Sequence, residues 1–474
     1  MKMIYVLLAT ALTVCGQQTP QQNQSLTGVE LKGKVPVNRS PLKVNLAKPQ
    51  EAKLSNGLRV LLIENHKAPS FTMQLVVLTG GLVDAPGKSG QALMTAALLR
   101  EGTASLTSRE ISERIDALGS TLAANSSTSA ATSTVTSSGL IENFDRTLDI
   151  FADVVRNPKF TPAELETLKS RLLAQLQVAN SQPSFMAQSQ LGRAIYGEHP
   201  AASPLPPEAA IKGLTSDDLV QFHGAYYRPN NAFLAVLGDV TMKQLLPKIE
   251  RAFAGWQQRD VSLVAIPQPK SPEKMHIILV NRPGSVQTSL LLGHLSVERT
   301  NPDYFPLLVM NHILGGDPAA RLFLNLRESK GYTYGASSNF SAYKYPGLLT
   351  AGADVRTEVT EGALKEFFYE IKRINDEEVT ATELENAKRG LVGSFATSLD
   401  SPTAQLVNLI QLQVYGLAPD YWDVYPQRIA EVSAADVQRV AQKYLNPSEV
   451  QIVAVGDAAK VRAALEKYGT VEVL

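Results

Sequence analysis

The chain has 474 residues, enough for two or three domains with cores of their own. Hydrophobic residues make up 44% and charged residues 19%, a balance that excludes global disorder. The 45 Lys and Arg are matched by 45 Asp and Glu, so the basic surplus of a nucleic-acid binder is absent.

At the N-terminus, Lys2 precedes the apolar segment MIYVLLATALTV, which has signal-peptide length and is too short to span a bilayer. No internal run approaches the length of a transmembrane helix. Cys15 follows and is the sole cysteine, so a disulfide within the chain is excluded. Residues 1–15 read as a signal peptide and 16–43, beginning GQQTPQQNQSLTG, as a polar tether. Leu12-Thr13-Val14-Cys15 resembles a lipoprotein box, with Cys15 as the lipidation site; ordinary cleavage after Gly16 is the alternative. Either route predicts export, to the periplasm or cell envelope. Membrane contact would come only through the lipid.

Beyond the tether, Asn56-Gly57 between apolar residues predicts a hairpin, with strands over 59–63 and 70–78. SGQALMTAALLREGT, residues 89–103, reads as an amphipathic helix closed by Gly102. Thr107 and Glu110 form a capping box for a helix that stops at Gly119. The Ser/Thr/Ala-rich stretch 121–138 suits strands with small side chains, 141–225 is helical in period, and 231–237 is a returning strand. The pattern predicts an α+β fold, a mostly antiparallel sheet with helices packed on one face.

The body then repeats. FTPAELETLK at 160–169 matches VTATELENAK at 379–388, and Tyr196-Gly197 matches Tyr415-Gly416 in the same register. After a one-residue slip, Asp218, Tyr226, Pro229 and Gly238-Asp239 match Asp436, Tyr444, Pro447 and Gly456-Asp457. A period this long marks a duplicated domain rather than a solenoid. The domains are placed at 44–260 and 275–474, joined by the Pro-rich linker 261–274.

This arrangement resembles the pitrilysin, insulinase and mitochondrial processing peptidase family of inverzincin zinc peptidases. LSNGLRVLLIENHKAPSFTMQLVVLTGG is similar to its opening hairpin, and YGEHP and YYRPNNAFLAVLGDV to later landmarks. Active members carry His-x-x-Glu-His on the helix that ends in Gly-Thr, two histidines for zinc and a glutamate for the attacking water. Counted back from Gly102-Thr103, those positions hold Leu93, Ala96 and Ala97. The family's third ligand falls near Ala174 or Gln175, within a stretch, 167–197, that contains no Asp or Glu. The resemblance therefore implies no catalytic or metal-binding residue in this chain. The six histidines are scattered, and His199, in YGEHP, reads as a capping or packing residue. No nucleophile elbow, Walker loop or dinucleotide fingerprint is present.

In the second domain, LGGDPAARLFLNLRESKGYTYGASSNF is similar to the family's Gly-Gly loop and Arg/Tyr motif, with Arg327 and Tyr334 matching. The resemblance implies that they bind substrate and polarise its carbonyl from across a subunit boundary. The blander readings are an Arg327 pair with Glu328 or Glu101 and a half-buried strand Tyr334. Glu101 reads as a solvated helix-end charge, and Tyr226 to Pro229 as the turn after a helix. The expectation is a non-catalytic subunit of a two-chain peptidase, inactive alone. Its homologous partner brings the zinc, and peptide or unfolded protein lies as an added strand on a sheet edge. The alternative is an envelope peptide-binding or scaffold protein with no peptidase partner.

Overall fold

The computed structural model describes residues 42, 44, 46, 48–262, 264–266 and 268–474. The expected signal peptide, Cys15 and nearly all of the tether lie outside them. In the first half, β1 (Gln50–Lys53), β2 (Arg59–Glu64), β3 (Ser70–Val77), β4 (Thr121–Asn125), β5 (Ser133–Leu140) and β6 (Ala232–Gly238) form one sheet. Its order is β1-β2-β6-β3-β5-β4, antiparallel throughout except where β2 meets β6. The helices are α1 (Gln91–Leu98), α2 (Ser108–Ala117), α3 (Phe144–Arg156), α4 (Pro162–Asn180), α5 (Pro183–Tyr196), α6 (Glu208–Gly213), α7 (Ser216–Tyr226) and α8 (Met242–Ala252).

The second half repeats the plan with β7 (His276–Asn281), β8 (Gln287–Leu295), β9 (Thr333–Phe340), β10 (Leu348–Arg356), β11 (Gln451–Gly456) and β12 (Val471–Val473). The order is β12-β7-β11-β8-β10-β9, so the two sheets differ at one edge: β12 runs parallel to its neighbour where β1 runs antiparallel. Its helices are α9 (Tyr304–Leu314), α10 (Arg321–Phe323), α11 (Thr360–Asp376), α12 (Ala381–Ser398), α13 (Pro402–Tyr415), α14 (Tyr425–Glu431), α15 (Ala434–Tyr444) and α16 (Ala458–Leu465). Between the sheets, the described residues of 261–272 form neither helix nor strand.

Local chemistry accounts for the element ends. Lys53 pairs with Arg59 across the first hairpin, and Gly57 takes φ +90° at its turn, where a side chain would be strained. Both halves of the Thr107–Glu110 capping box are made. The long helical stretch is cut where proline can only begin a helix, at Pro162 and Pro183. One expectation shifts: α1 ends at Leu98, and Gly102, at φ +138°, bridges to Thr107 instead of capping the helix.

Packing ties the halves together. On one face of the first sheet, Val60, Leu62, Leu234 and Val236 meet that half's own helices through Met94, Leu148, Phe151 and Leu165. The alternate residues Leu61, Ile63, Phe233, Ala235 and Leu237 point the other way and pack on Leu406, Leu409 and Ile410 of α13, from the second half. The exchange is mutual. Leu191 and Ile195 of α5 pack on Ile278, Val280, Val453 and Val455 of the second sheet. Gly293 of β8 admits that close approach, since a Cβ there would come within 2.7 Å of Leu191. Tyr345 Oη donates to the Ser129 carbonyl (3.1 Å) and Tyr196 Oη to that of Pro346 (3.1 Å), adding polar ties. Each half's own helices cover one face of its sheet, and a borrowed helix covers the other.

A coupled pair of cores predicts coupled unfolding. Leu409→Ala or Leu191→Ala should cost about 2–5 kcal/mol and lower a single calorimetric transition. A scan in which either variant splits the melt into two independent transitions would contradict the exchange.

Candidate functional site

The first candidate region is α1, whose N-terminus is capped by a distant carboxylate. Gly90 precedes the helix at φ +93°, and Asp84 accepts from the backbone N–H of Gly90 (2.7 Å) and Ala92 (2.9 Å). Along the helix, Leu93 and Ala97 are half-buried against the first core and Ala96 is fully buried. From α4, Leu173 and Leu176 pack on the same core, while Ala174 and Gln175 are exposed. The side chains at the three motif positions are hydrocarbon and offer no ligand atom. Among the described residues no three His, Cys, Asp or Glu gather where a metal ion could be held. Glu101 is a half-exposed charge just beyond α1, and its carboxylate also accepts from Ser108 Oγ (2.5 Å), which links the turn to α2.

The described histidines are held in separate structural contacts. His199 is buried, caps the turn Pro200–Ala202 by accepting from Ala201 N (3.1 Å), and lies against the rings of Tyr196 and Tyr345. Burial pushes His223 down to about 4, so it is neutral where its Nε2 meets the Val155 carbonyl (2.8 Å). His294 reaches the Asn446 carbonyl, and His66 and His276 sit in exposed pairs with Asp239 and Glu472. Burial also lowers His312, whose nearest carboxylate, Asp317, lies 3.9 Å away. Tyr227 is buried against His223 beside the turn Pro229–Asn231, as a chain reversal after a helix requires.

Arg327 and Tyr334 form the second candidate region, and the structure brings them together. After α10 the helix widens into a π-helical segment, Leu324–Ser329, in which Lys330 N donates to the Asn325 carbonyl (3.0 Å). Gly331 ends it at φ +62°. The strand that follows, β9, carries an extra residue against β10: Ala336 pairs with Ala353 and Thr333 with Val355, so Tyr334 stands in a bulge. The bulge turns Tyr334 outward, where it is 89% exposed, not the half-buried strand residue of the bland reading. The Arg327 guanidinium lies 4.7 Å from the Phe323 ring centre and 4.9 Å from that of Tyr334. It also meets Glu328 at 3.5 Å, a solvent-exposed pair of little energetic weight. Two irregularities, one in a helix and one in a strand, thus place both donors on one surface.

The motif turn is anchored from behind. Arg321 is buried and donates from Nε (2.7 Å) and Nη2 (3.1 Å) to Glu383 on α12, which also closes the capping box with Thr380. The Gly-Gly loop lies against β9: Ser338 N donates to the Gly315 carbonyl (2.9 Å), and a Cβ on Gly315 would sit 2.4 Å from that nitrogen. The edge of β9 is therefore covered at Ser338, and Tyr334 stands before that point. Sequence reasoning missed Arg321 and Glu383, although Glu383 lies in the repeated motif and in a capping box.

Comparison with known proteins now decides the family. Residues 59–207 match the model for the insulinase family, peptidase family M16, and residues 213–391 match the model for the peptidase M16 inactive domain. The chain belongs to the M16 peptidase family. An uncharacterized zinc protease of Bacillus subtilis is 27% identical over 74% of this chain and 84% of its own length. A probable mitochondrial-processing peptidase subunit beta of Arabidopsis thaliana is 24% identical over 85% of this chain and 77% of its own length. A Pseudomonas fluorescens structure described as a peptidase M16 inactive domain superimposes with TM-score 0.79 at 28% identity, covering 86% of this chain and 97% of that one. A Helicobacter pylori protease shares the fold at TM-score 0.79 and 21% identity, covering 86% and 100%. The second M16 model starts at residue 213, inside the first structural half, and so takes in β6 of the first sheet.

For this M16 protein the Arg321–Glu383 pair makes a prediction. Burial raises the Glu383 carboxyl, but the Arg321 guanidinium and the Thr380 donors outweigh it and hold the group at about 2. A depressed folded-state value means the stabilisation is complete above the ordinary glutamate range, near 4.5, and is lost as pH falls towards about 2. Glu383→Ala, which leaves Arg321 buried and unpaired, should cost about 3–5 kcal/mol. Thermal melts across pH check both: the wild-type advantage over Glu383→Ala should shrink in acid, and a pH-independent difference would refute the pairing energy.

Proposed function

We propose that this M16 protein is the non-catalytic, substrate-positioning subunit of an exported two-chain zinc peptidase. The observation that carries the reading is the presentation of Arg327 and Tyr334 together on an exposed surface. The Tyr334 phenol stands in solvent beside the Arg327 guanidinium, where one peptide carbonyl could reach both donors. The guanidinium and phenol O–H are hydrogen-bond donors carried on the π-helical turn and the bulge. Aimed at a peptide carbonyl, they strengthen as its oxygen gains negative charge. Peptide or unfolded protein would engage as an added strand on a sheet edge, which explains tolerance of sequence. The edge strands are β1 and β4 in the first sheet and β12 and β9 in the second, and of these the part of β9 before Ser338 carries Tyr334.

Leu93, Ala96 and Ala97 do not fit a zinc ion, so the metal, its water and the base would come from a homologous partner with His-x-x-Glu-His. Export would follow from the N-terminal segment. Lipid on Cys15 would hold the protein at the envelope membrane, or simple cleavage would release it to the periplasm.

Metal analysis of the purified, dialysed chain should find no stoichiometric zinc and no cleavage of unstructured peptides. One tightly held zinc per chain with chelator-sensitive proteolysis would overturn the reading. In the reconstituted pair, Arg327→Ala and Tyr334→Phe should each slow turnover roughly a hundredfold, about 3 kcal/mol in transition-state stabilisation. Assembly and the partner's zinc should be unchanged. Steady-state kinetics on complexes verified by size-exclusion chromatography decide the matter. Unaltered turnover in an intact complex would leave the envelope scaffold as the better account.

A further inference from the structure

Two arginines in the second half are equally buried, each 6% exposed, and they are treated differently. Arg321 has a bidentate carboxylate partner in Glu383. Arg299 has none among the described residues. Its guanidinium carbon lies 3.8 Å from the Tyr304 ring centre, 5.0 Å from that of Tyr421 and 5.7 Å from that of Trp422, and Nη1 donates to Tyr421 Oη (2.6 Å). Asp303, four residues along, is already engaged by Arg439 (2.8 Å), Lys443 (2.9 Å) and Tyr444 (2.8 Å). A fixed positive charge taken out of water calls for an anion, since aromatic faces offset only part of the lost hydration.

The guanidinium borders a cavity of about 540 Å³, within the range of small-ligand sites. Its walls are Tyr304, Phe340, Tyr343, Tyr415, Trp422 and Tyr425, with the exposed Tyr343 and Ser394 near solvent. Burial raises the titration of Tyr304, Tyr415 and Tyr425, so these phenols stay neutral and leave Arg299 as the charge in the cavity. The combination is one buried cation in the wall of an open, largely aromatic cleft. That selects a carboxylate by its charge and the body attached to it by its apolar surface.

We infer that this cavity binds an organic carboxylate carried on an aromatic or branched apolar group. The C-terminal residue of a peptide and a free aromatic acid share that chemistry. The site lies apart from Arg327 and Tyr334 and does not depend on any peptidase partner.

Titration calorimetry on the full chain, with tryptophan emission as the local reporter through Trp422, tests the inference. N-acetylphenylalanine should bind and change the emission, and its neutral amide should bind at least about tenfold more weakly. Arg299→Met should erase the preference for the acid. Ser394→Tyr, which narrows the mouth without touching the guanidinium stack, should weaken acid and amide alike. The peptide Ala-Ala-Phe with a free C-terminus separates the two sources: tighter binding than the single residue assigns a peptide end, and equal binding assigns a free acid. Should Arg299→Met fail to fold, the acid–amide comparison on the unmodified chain and the Ser394→Tyr variant still decide. Equal affinity for acid and amide, or no heat and no emission change with the acid, would overturn the inference.

Discussion

The fold depends on the burial of each sheet's second face by a helix from the opposite half. A sheet with one uncovered apolar face would expose Phe233, Leu237 and Ile63 in the first half and Val280 and Val455 in the second. At roughly 25 cal/mol per Å² such exposure is a heavy cost, and it would invite aggregation. Exchange of α5 and α13 meets both needs at once, which is why β6 and β11 are buried along their whole length. Their near-continuous hydrophobic runs, unusual for strands in a mostly antiparallel sheet, follow from cover on both sides.

That rigid frame gives the irregular features their meaning. A π-helical turn and a β-bulge are locally unfavourable, and each persists because its surroundings fix it: Arg321 and Glu383 behind the turn, and the Thr333 hydroxyl, which donates to the Asp354 carbonyl (2.7 Å), beside the bulge. The duplicated first half carries no counterpart. Its first helix, α1, is a packing element, with Leu93, Ala96 and Ala97 set against the core. The two halves have diverged in opposite directions, one towards plain stability and one towards a presented pair of donors.

Much of this was legible in the residues. The hairpin at Gly57, the capping box at Thr107, the duplicated FTPAELETLK and VTATELENAK segments and the occupancy of positions 93, 96 and 97 all follow from local chemistry and counting. The helix exchange was not legible, because period and burial show that a face is apolar but not which helix covers it. The π turn and the bulge were hidden for the same kind of reason. Each inserts one residue into a regular pattern, and RLFLNLRES reads equally well as an ordinary helix. The bond from Ser108 to Glu101 was hidden too, because Ser108 belongs to the next helix, across a turn that includes Gly102.

The Gly315 carbonyl on Ser338 has one more consequence. Edge strands are open templates on which any extended chain can grow a further strand, including a second copy of the same protein. By occupying that amide, the Gly-Gly loop shortens the template on β9 to the few residues around Tyr334. Any extended chain that paired there would add only a short strand instead of a long zipper. The same loop thus shields this edge from pairing with a second copy of the chain.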